Sequence, residues 1–547
     1  MRRGIAWICW VWLLMVTSVV AQEAPKKEET GAQQPKTATI EGKVLRATDG
    51  TPLKKAMVMA WSMDITRQKN KSVSTDQDGK FLLKDVEPGR YSLIAMRTGY
   101  AQQSYGERRP RGAGTTLNVI AGQQVKDIVF RLVPGAVIAG RVVDEDDEPV
   151  YRASVTAQLW HYMQGKRELV PGGETTTDDL GEYRISQLPP GRYYVSVSAN
   201  RMGIMMPGGD TPDQVFYVET YYPGVYDASR AAALEVKGGD EVGNINFRIT
   251  PGHGVRVTGV VKGFDKESMD VRLSPKGAWH IGNEKMAMAN EKGEFAFGGV
   301  LPGAYVLQAM TGERDTRTSA TQIIEVGDSD LQNIQMVLAE RPDIFGRVKI
   351  EGKLTDEAGR IHVVLVPENG PQFSSGEPGT VDEKLNFKLK GYDEGDYRVT
   401  FWGLPEDAYV KSVMSGTQEA LVEPLHISGQ VKPLEIVISS NGAHVEGTVT
   451  DGEGKTFTAA RVVLVPDETH RELREFYNIG STDQYGKFNL KGVRPGSYTL
   501  YAWDKIEEGA YMDPEFLKLY AEKGKSVKVS EGDRITEDLK LIEVGAE

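Results

Sequence analysis

The residues of this chain that could carry chemistry are few, and their spacing decides against most of the reactions they suggest. The histidines are His161, His253, His280, His362, His426, His444 and His470. A hydrolytic zinc site needs a His-x-x-Glu pair with a distant third ligand around an open coordination position, or the helical His-x-x-x-His spacing. None of these histidines has Glu three positions on or a second His four positions on. No Gly-x-Ser-x-Gly elbow and no phosphate-binding Gly-rich loop occurs. Paired carboxylates can cleave glycosidic bonds, but Asp146-Asp147 and Glu507-Glu508 fall in stretches that read as turns. No catalytic residue, metal ligand or cofactor is assigned, and a protein without enzymatic activity is expected. The one cysteine, Cys9, lies in an N-terminal apolar run, so a processed chain has neither a disulfide nor a thiol nucleophile.

What remains is binding. A flat aromatic ring stacks on the apolar face of a sugar when polar groups flank it. The candidate ligand-binding residues are Trp160 and Tyr162 with His161 between them, Tyr221 and Tyr222 in the Tyr221-Tyr222-Pro223-Gly224 segment, Trp402 and Trp503. Trp61, Trp402 and Trp503 also fit core or rim positions of strands, where aromatics are common. The formal charge is −12, and loss of Arg2 and Arg3 with an N-terminal signal would make it −14, from 63 basic and 77 acidic residues. An acidic surface argues against nucleic acid and anionic membranes as partners. Arg108-Arg109-Pro110-Arg111 is the one basic patch and reads as a solvated loop.

The elements that must position these residues come from a stretch repeated five times. Its copies run Thr75-Asp76-Gln77-Asp78-Gly79-Lys80-Phe81 with Pro88-Gly89-Arg90-Tyr91, and Thr177-Asp178-Asp179-Leu180-Gly181-Glu182-Tyr183 with Pro190-Gly191-Arg192-Tyr193. Asn290-Glu291-Lys292-Gly293-Glu294-Phe295 with Pro302-Gly303-Ala304-Tyr305 follows, and the last is Thr482-Asp483-Gln484-Tyr485-Gly486-Lys487-Phe488 with Pro495-Gly496-Ser497-Tyr498. The two glycines of each copy are 10 residues apart. The fourth copy has Leu385 in place of the first glycine and Glu394 in place of the proline, but keeps Phe387, Gly395 and Tyr397, so its turns are expected to differ. Asp accepts bonds from nearby amides and Gly supplies positive φ, which makes Asp-x-x-Gly a turn; Pro-Gly suits the centre of a type II turn. Alternating runs such as Phe81-Leu82-Leu83 then read as half-buried strands.

Each repeat opens on a strand with a central glycine (Gly42, Gly140, Gly259, Gly346 and Gly447), where a bulge or a close backbone approach is expected. Each closes on a pair of short apolar runs, as in Leu117-Asn118-Val119 and Ile128-Val129-Phe130. Roughly seven strands per unit of about 100 residues is the rhythm of a β-sandwich. The expected plan is all-β, five tandem Greek-key-type β-sandwich domains at 38–134, 135–250, 251–340, 341–440 and 441–547, with the links between them short and the whole a semi-rigid string. The one helix expected starts at Asp513, a cap, with Pro514 at the first helical position. Residues 1–21 read as a secretory signal with Arg2 and Arg3 before the apolar run, and 22–37 as a flexible polar tether.

The Gly-x-Val opening, Thr-Asp-x-x-Gly-x-Phe and Pro-Gly-x-Tyr together resemble the carboxypeptidase regulatory-like domain, related to transthyretin-like and Cna-B-like sandwiches of the carbohydrate-binding-like fold. The resemblance spans most of 38–544 in five copies and implies an exported bacterial repeat protein without enzyme activity. It implies carbohydrate as ligand class, or a structural spacer or interaction scaffold that meets a cell-envelope protein, in the periplasm, on the outer surface or secreted. No nucleic acid and no membrane contact beyond the signal segment is expected. Cna-B-like domains also form Lys–Asn cross-links. Lys43 stands in one opening strand, but Arg141, Val260, Arg347 and Thr448 take its place elsewhere, and no such bond is assigned.

Overall fold

The computed structural model describes residues 37–63, 69–112, 114–163, 165–199, 217–251, 254–263, 269–276, 285–311, 318–341, 343–353, 361–368, 376–429 and 431–544. The signal, nearly all of the tether, His253 and His280 lie outside them. Among the described residues, no helix is long and apolar enough to cross a membrane.

The repeated turn forms as its chemistry requires. The Asp76 carboxylate accepts from the amides of Asp78 (2.9 Å) and Lys80 (2.8 Å), and Gly79 sits at φ +69°. Asp178, Asn290 and Asp483 make the same two bonds. The fourth copy corrects the expectation that its turn differs. Asp382 accepts from Lys384 and Asn386 at 2.9 and 2.8 Å, and Leu385 itself takes φ +63°. The two side-chain bonds thus hold a branched residue in a region L-residues rarely visit. The preceding threonine fixes the turn to the sandwich: buried Thr75 accepts from the Ala56 amide (2.9 Å) and donates to the Leu53 carbonyl (2.6 Å), and Thr177 and Thr482 do the equivalent. The Pro-Gly glycines are not left-handed turn residues. Gly89 and Gly303 have φ 158° and 156°, near extended, and each opens a strand. Two residues on, the repeat tyrosine turns its hydroxyl back to the carbonyl four residues before it, Tyr91 to Glu87, Tyr193 to Pro189, Tyr305 to Leu301 and Tyr498 to Arg494, at 2.8–3.0 Å.

The fold is all-β, a tandem series of sandwiches. In the first, the opening strand Ala38–Arg46 is the centre of one sheet, antiparallel to Lys80–Val86 and parallel to Gln124–Leu132. The opposing sheet runs Lys71–Ser74, Met57–Ser62, Gly89–Met96, with Thr116–Val119 also on the last strand. The same antiparallel and parallel partners flank the opening strand in each later sandwich. The central glycine lets the parallel neighbour come close: a Cβ at Gly42 would stand 2.0 Å from the Ile128 carbonyl oxygen. Alternate residues such as Ile40, Phe81, Leu83, Tyr91, Leu93 and Phe130 meet between the sheets as the core, and four further cores follow along the chain. The fifth sandwich has a second apolar layer, where Tyr501 and Trp503 on its outer face are covered by Tyr511, Met512 and Leu517. That cover contains the expected helix, Pro514–Lys518, capped by Asp513.

The chain is not a string of separate beads. At the step from third to fourth sandwich, Arg341 pairs with Asp393 at 2.6 Å with both side chains over nine-tenths buried, and Gln308 and Ser319 also bond Asp393. The fifth sandwich sends Leu473 and Phe476 into the fourth core and meets the first and second as well. The basic loop is exposed and yet touches two other sandwiches: Arg108 stacks on Phe457 of the fifth at 3.9 Å, and Arg111 donates to the Gly172 carbonyl of the second at 3.2 Å.

Candidate binding cleft

The predicted aromatics do not assemble into one platform. Trp503 is fully buried, stacked on Tyr501 with ring centres 4.9 Å apart and lying under the segment that carries Pro514–Lys518, so neither ring face is open to a ligand. Tyr162 is half-buried against that same layer. Burial, then the Asp513 carboxylate beside it, push its phenol up. It joins the second sandwich to the fifth. Tyr222 packs edge-on against core Phe247. Tyr221 is half-buried in a short strand against Ser196, its phenol driven up by burial and then by Glu219. Trp160 is half-buried and packs edge-on against Tyr194 at 6.2 Å. Trp402 alone of the six is largely exposed, at 57%. It stands opposite His362, whose ring meets the Thr380 hydroxyl at 3.0 Å.

The concave feature lies elsewhere, where the first, fourth and fifth sandwiches meet. The strand Thr116–Val119 approaches the repeat turn of the fifth sandwich side by side, and Thr116 forms a parallel bridge with Asp483. Asn118 clamps it. Its side chain donates to the Asp483 carboxylate at 2.7 Å, its amide donates to the Gln484 side chain at 3.1 Å, and its carbonyl accepts from the same side chain at 3.1 Å. The Thr116 and Ser481 hydroxyls meet at 3.1 Å. Asp483 therefore shapes its own turn and holds a strand from another sandwich. Below the clamp, Glu406 of the fourth sandwich pairs with Arg90 of the first (2.6 Å) and Lys491 of the fifth (2.8 Å). Burial alone would raise the Glu406 carboxyl, but Lys491 and then Arg90 outweigh it and hold the group below its ordinary value.

Between these contacts lies a cleft of about 740 Å³, within the size range of ligand sites. Its long wall belongs to the fifth sandwich: the consecutive residues 478–481, the consecutive residues 487–491, and Glu446, Thr448, Thr536 and Asp538. Its basic and acidic groups nearly balance, Arg90, Lys487 and Lys491 against Glu406, Glu446, Asp483 and Asp538. Among the described residues no group of His, Cys, Asp and Glu is arranged to hold a metal ion. Sequence reading missed Asn118, Gln484, Arg90 and Glu406. The single signal was that Asp483 and Gln484 belong to a repeat turn, and nothing local marks that copy as the one that grips a distant strand.

Two stretches, residues 39–132 and 137–204, match the family model of the carboxypeptidase regulatory-like domain. The first two sandwiches carry that domain. The match takes in the repeated turns at Asp76 and Asp178. No curated protein matches by sequence. Among solved structures, the Bacillus anthracis TIE protein is similar at 17% identity, covering 55% of this chain and 50% of that one, with a TM-score of 0.16. The minor pilin GBS52 of Streptococcus agalactiae is similar at 13% identity over 39% of this chain and 96% of the other, with a TM-score of 0.23. The major pilin subunit BcpA of Bacillus cereus is similar at 11% identity over 56% of this chain and all of the other, with a TM-score of 0.14. The chain thus spans half the length of the first of these.

Proposed function

We propose that this chain is an exported, non-catalytic interaction scaffold whose partner is a protein of the cell envelope. The observation that carries the reading is the junction at Asn118, Asp483 and Glu406, which ties three sandwiches together around one open, polar, near-neutral cleft. A spacer needs only end-to-end links; a fifth sandwich folded back on the first presents a composite surface that no single sandwich has. The regulatory-like domain of the first two sandwiches supports a role without catalysis, and the N-terminal charged-then-apolar segment supports export. Affinity capture from envelope extracts with residues 22–547, beside an Arg90→Glu variant that breaks the junction, tests it. A protein held by the wild type and lost by the variant supports the scaffold. Equal retention by both overturns the junction as the working surface.

A second reading, carbohydrate binding, is favoured by Trp402, the exposed ring with His362 and Thr380 at hand. A polysaccharide array read with wild type and Trp402→Ala tests it: binding lost in the variant supports that reading, and no glycan bound overturns it.

A further inference from the structure

We infer that the cleft takes an extended polypeptide segment, which adds as a strand to the free edge at Lys487–Val493 of the fifth sandwich. The inference rests on the interaction reading above and specifies its mode. Both sheets of the fifth sandwich end at the cleft. Lys487–Val493 is the outer strand of one, beside Ala443–Thr450, and Asn478–Ser481 is the outer strand of the other, beside Arg461–Pro466. No strand among the described residues pairs with the far side of Lys487–Val493. Outer strands carry a row of backbone donors and acceptors that templates another strand.

The direction of those groups follows from the bonds. In an antiparallel pair, alternate residues aim both backbone groups away from the partner strand. Lys487 sends its carbonyl and its amide outward, to the Asp483 amide (2.8 Å) and the Asp483 carboxylate (2.9 Å). The Lys491 carbonyl also points outward and accepts from the Asn478 side chain at 3.3 Å. Asn489 lies midway, opposite Glu446, and so aims its amide and carbonyl into the cleft.

A strand of another sandwich already meets this part of the fifth, through one isolated bridge and side-chain bonds. Thr116–Val119 lies along the end of the neighbouring edge through the bridge to Asp483 and the Asn118 clamp. The proposed segment would lie beside it in the space the clamp leaves open. The wall chemistry selects among ligands. A sugar site uses exposed ring faces, and the one aromatic in the wall, Phe488, is buried in the core. Fixed charges of both signs disfavour a polyanion. Consecutive backbone positions at an outer strand favour main-chain pairing, with side chains of a neutral, polar segment.

The test uses residues 22–547 against an array of decapeptides beside an array of neutral oligosaccharides, with the best peptide binder then measured by fluorescence anisotropy. Asn489→Pro removes the outward amide, at a position where an edge strand tolerates proline, and keeps the ladder bonds, which belong to the flanking Phe488 and Leu490 opposite Gly447 and Val445. Asn489→Thr changes the side chain and keeps the amide. Far-ultraviolet dichroism and the melting temperature establish that both variants fold. The expected result is a peptide whose dissociation constant rises roughly tenfold with Asn489→Pro, the scale of one or two hydrogen bonds, and stays near wild type with Asn489→Thr. No peptide bound, equal binding by both variants, or oligosaccharide binding that Asn489→Pro leaves unchanged overturns the inference. An envelope protein still captured by the wild type in those cases keeps the scaffold reading, so the two fail separately.

Discussion

The repeated turn and the repeat tyrosine each permit a sharp test. Leu385 holds φ +63° and also packs against the fourth core. Leu385→Gly releases backbone strain of about 1–2 kcal/mol and loses buried apolar surface of similar worth, so urea unfolding of the variant is expected within about 1 kcal/mol of wild type. Gly79→Ala has no such offset: at φ +69° its Cβ would stand 2.7 Å from the Val44 carbonyl, and a loss of about 1–3 kcal/mol is expected in the same measurement. The repeat tyrosines give a pH test. Burial pushes the Tyr498 phenol from 10.0 up to about 12. The neutral phenol is therefore the form the fold prefers. Its contribution is fully present below pH 10 and is lost as pH rises towards 12. The urea midpoint of wild type is expected to fall over that range, and Tyr498→Phe to flatten the fall.

At the level of elements, Trp402 and Trp503 show what sequence can and cannot separate. Each ends the strand that opens at a Glu-Gly or Pro-Gly step, and both pair into the sheet at equivalent places, opposite His362 and Arg461. They differ because the fifth sandwich lays Ala510–Met512 and Pro514–Lys518 over Trp503, whereas Trp402 is 57% exposed. Trp503→Ala is expected to cost about 3–5 kcal/mol, as for other buried large residues, and Trp402→Ala less than about 1 kcal/mol, both read from thermal unfolding. The capped helix was legible, since Asp513 and Pro514 are local signals; that it shields a tryptophan was not, since covering is a tertiary fact. The strands, their order and the central glycines were legible for the same reason, as two-residue alternation and turn chemistry act over a few residues. The site was legible only as a list of aromatics. The cleft depends on Asn118 and Gln484, which lie 366 residues apart and carry no pattern that joins them.

For the whole molecule, the decisive question is what keeps the first, fourth and fifth sandwiches together. The Asn118 clamp joins neutral and backbone groups to a single carboxylate, Asp483, whereas the Glu406 junction pairs opposite charges. The two respond differently to conditions. Glu406 is held below its ordinary carboxylate value in the assembled state, so its contribution is present above that value and is lost as pH falls through the depressed one. Its pairs are partly exposed, so salt also weakens them, the screening length shrinking from about 10 Å at 0.1 M to about 3 Å at 1 M. The clamp contains no pair of opposite charges and is less sensitive to salt. In solution scattering, Glu406→Gln at neutral pH is expected to behave as wild type does in acid or high salt, with a modest rise in radius of gyration. Asn118→Ala combined with Gln484→Ala is expected to expand the molecule at every pH and salt concentration. Hydrogen exchange at Lys487–Val493 should rise in step, because that edge loses the walls of the cleft. If scattering stays constant in acid and in Glu406→Gln while the double variant expands, the clamp alone sets the arrangement and the ion pairs are ornaments of a junction already closed. If both leave the dimensions unchanged, the Leu473 and Phe476 contact with the fourth core is what holds the fifth sandwich in place.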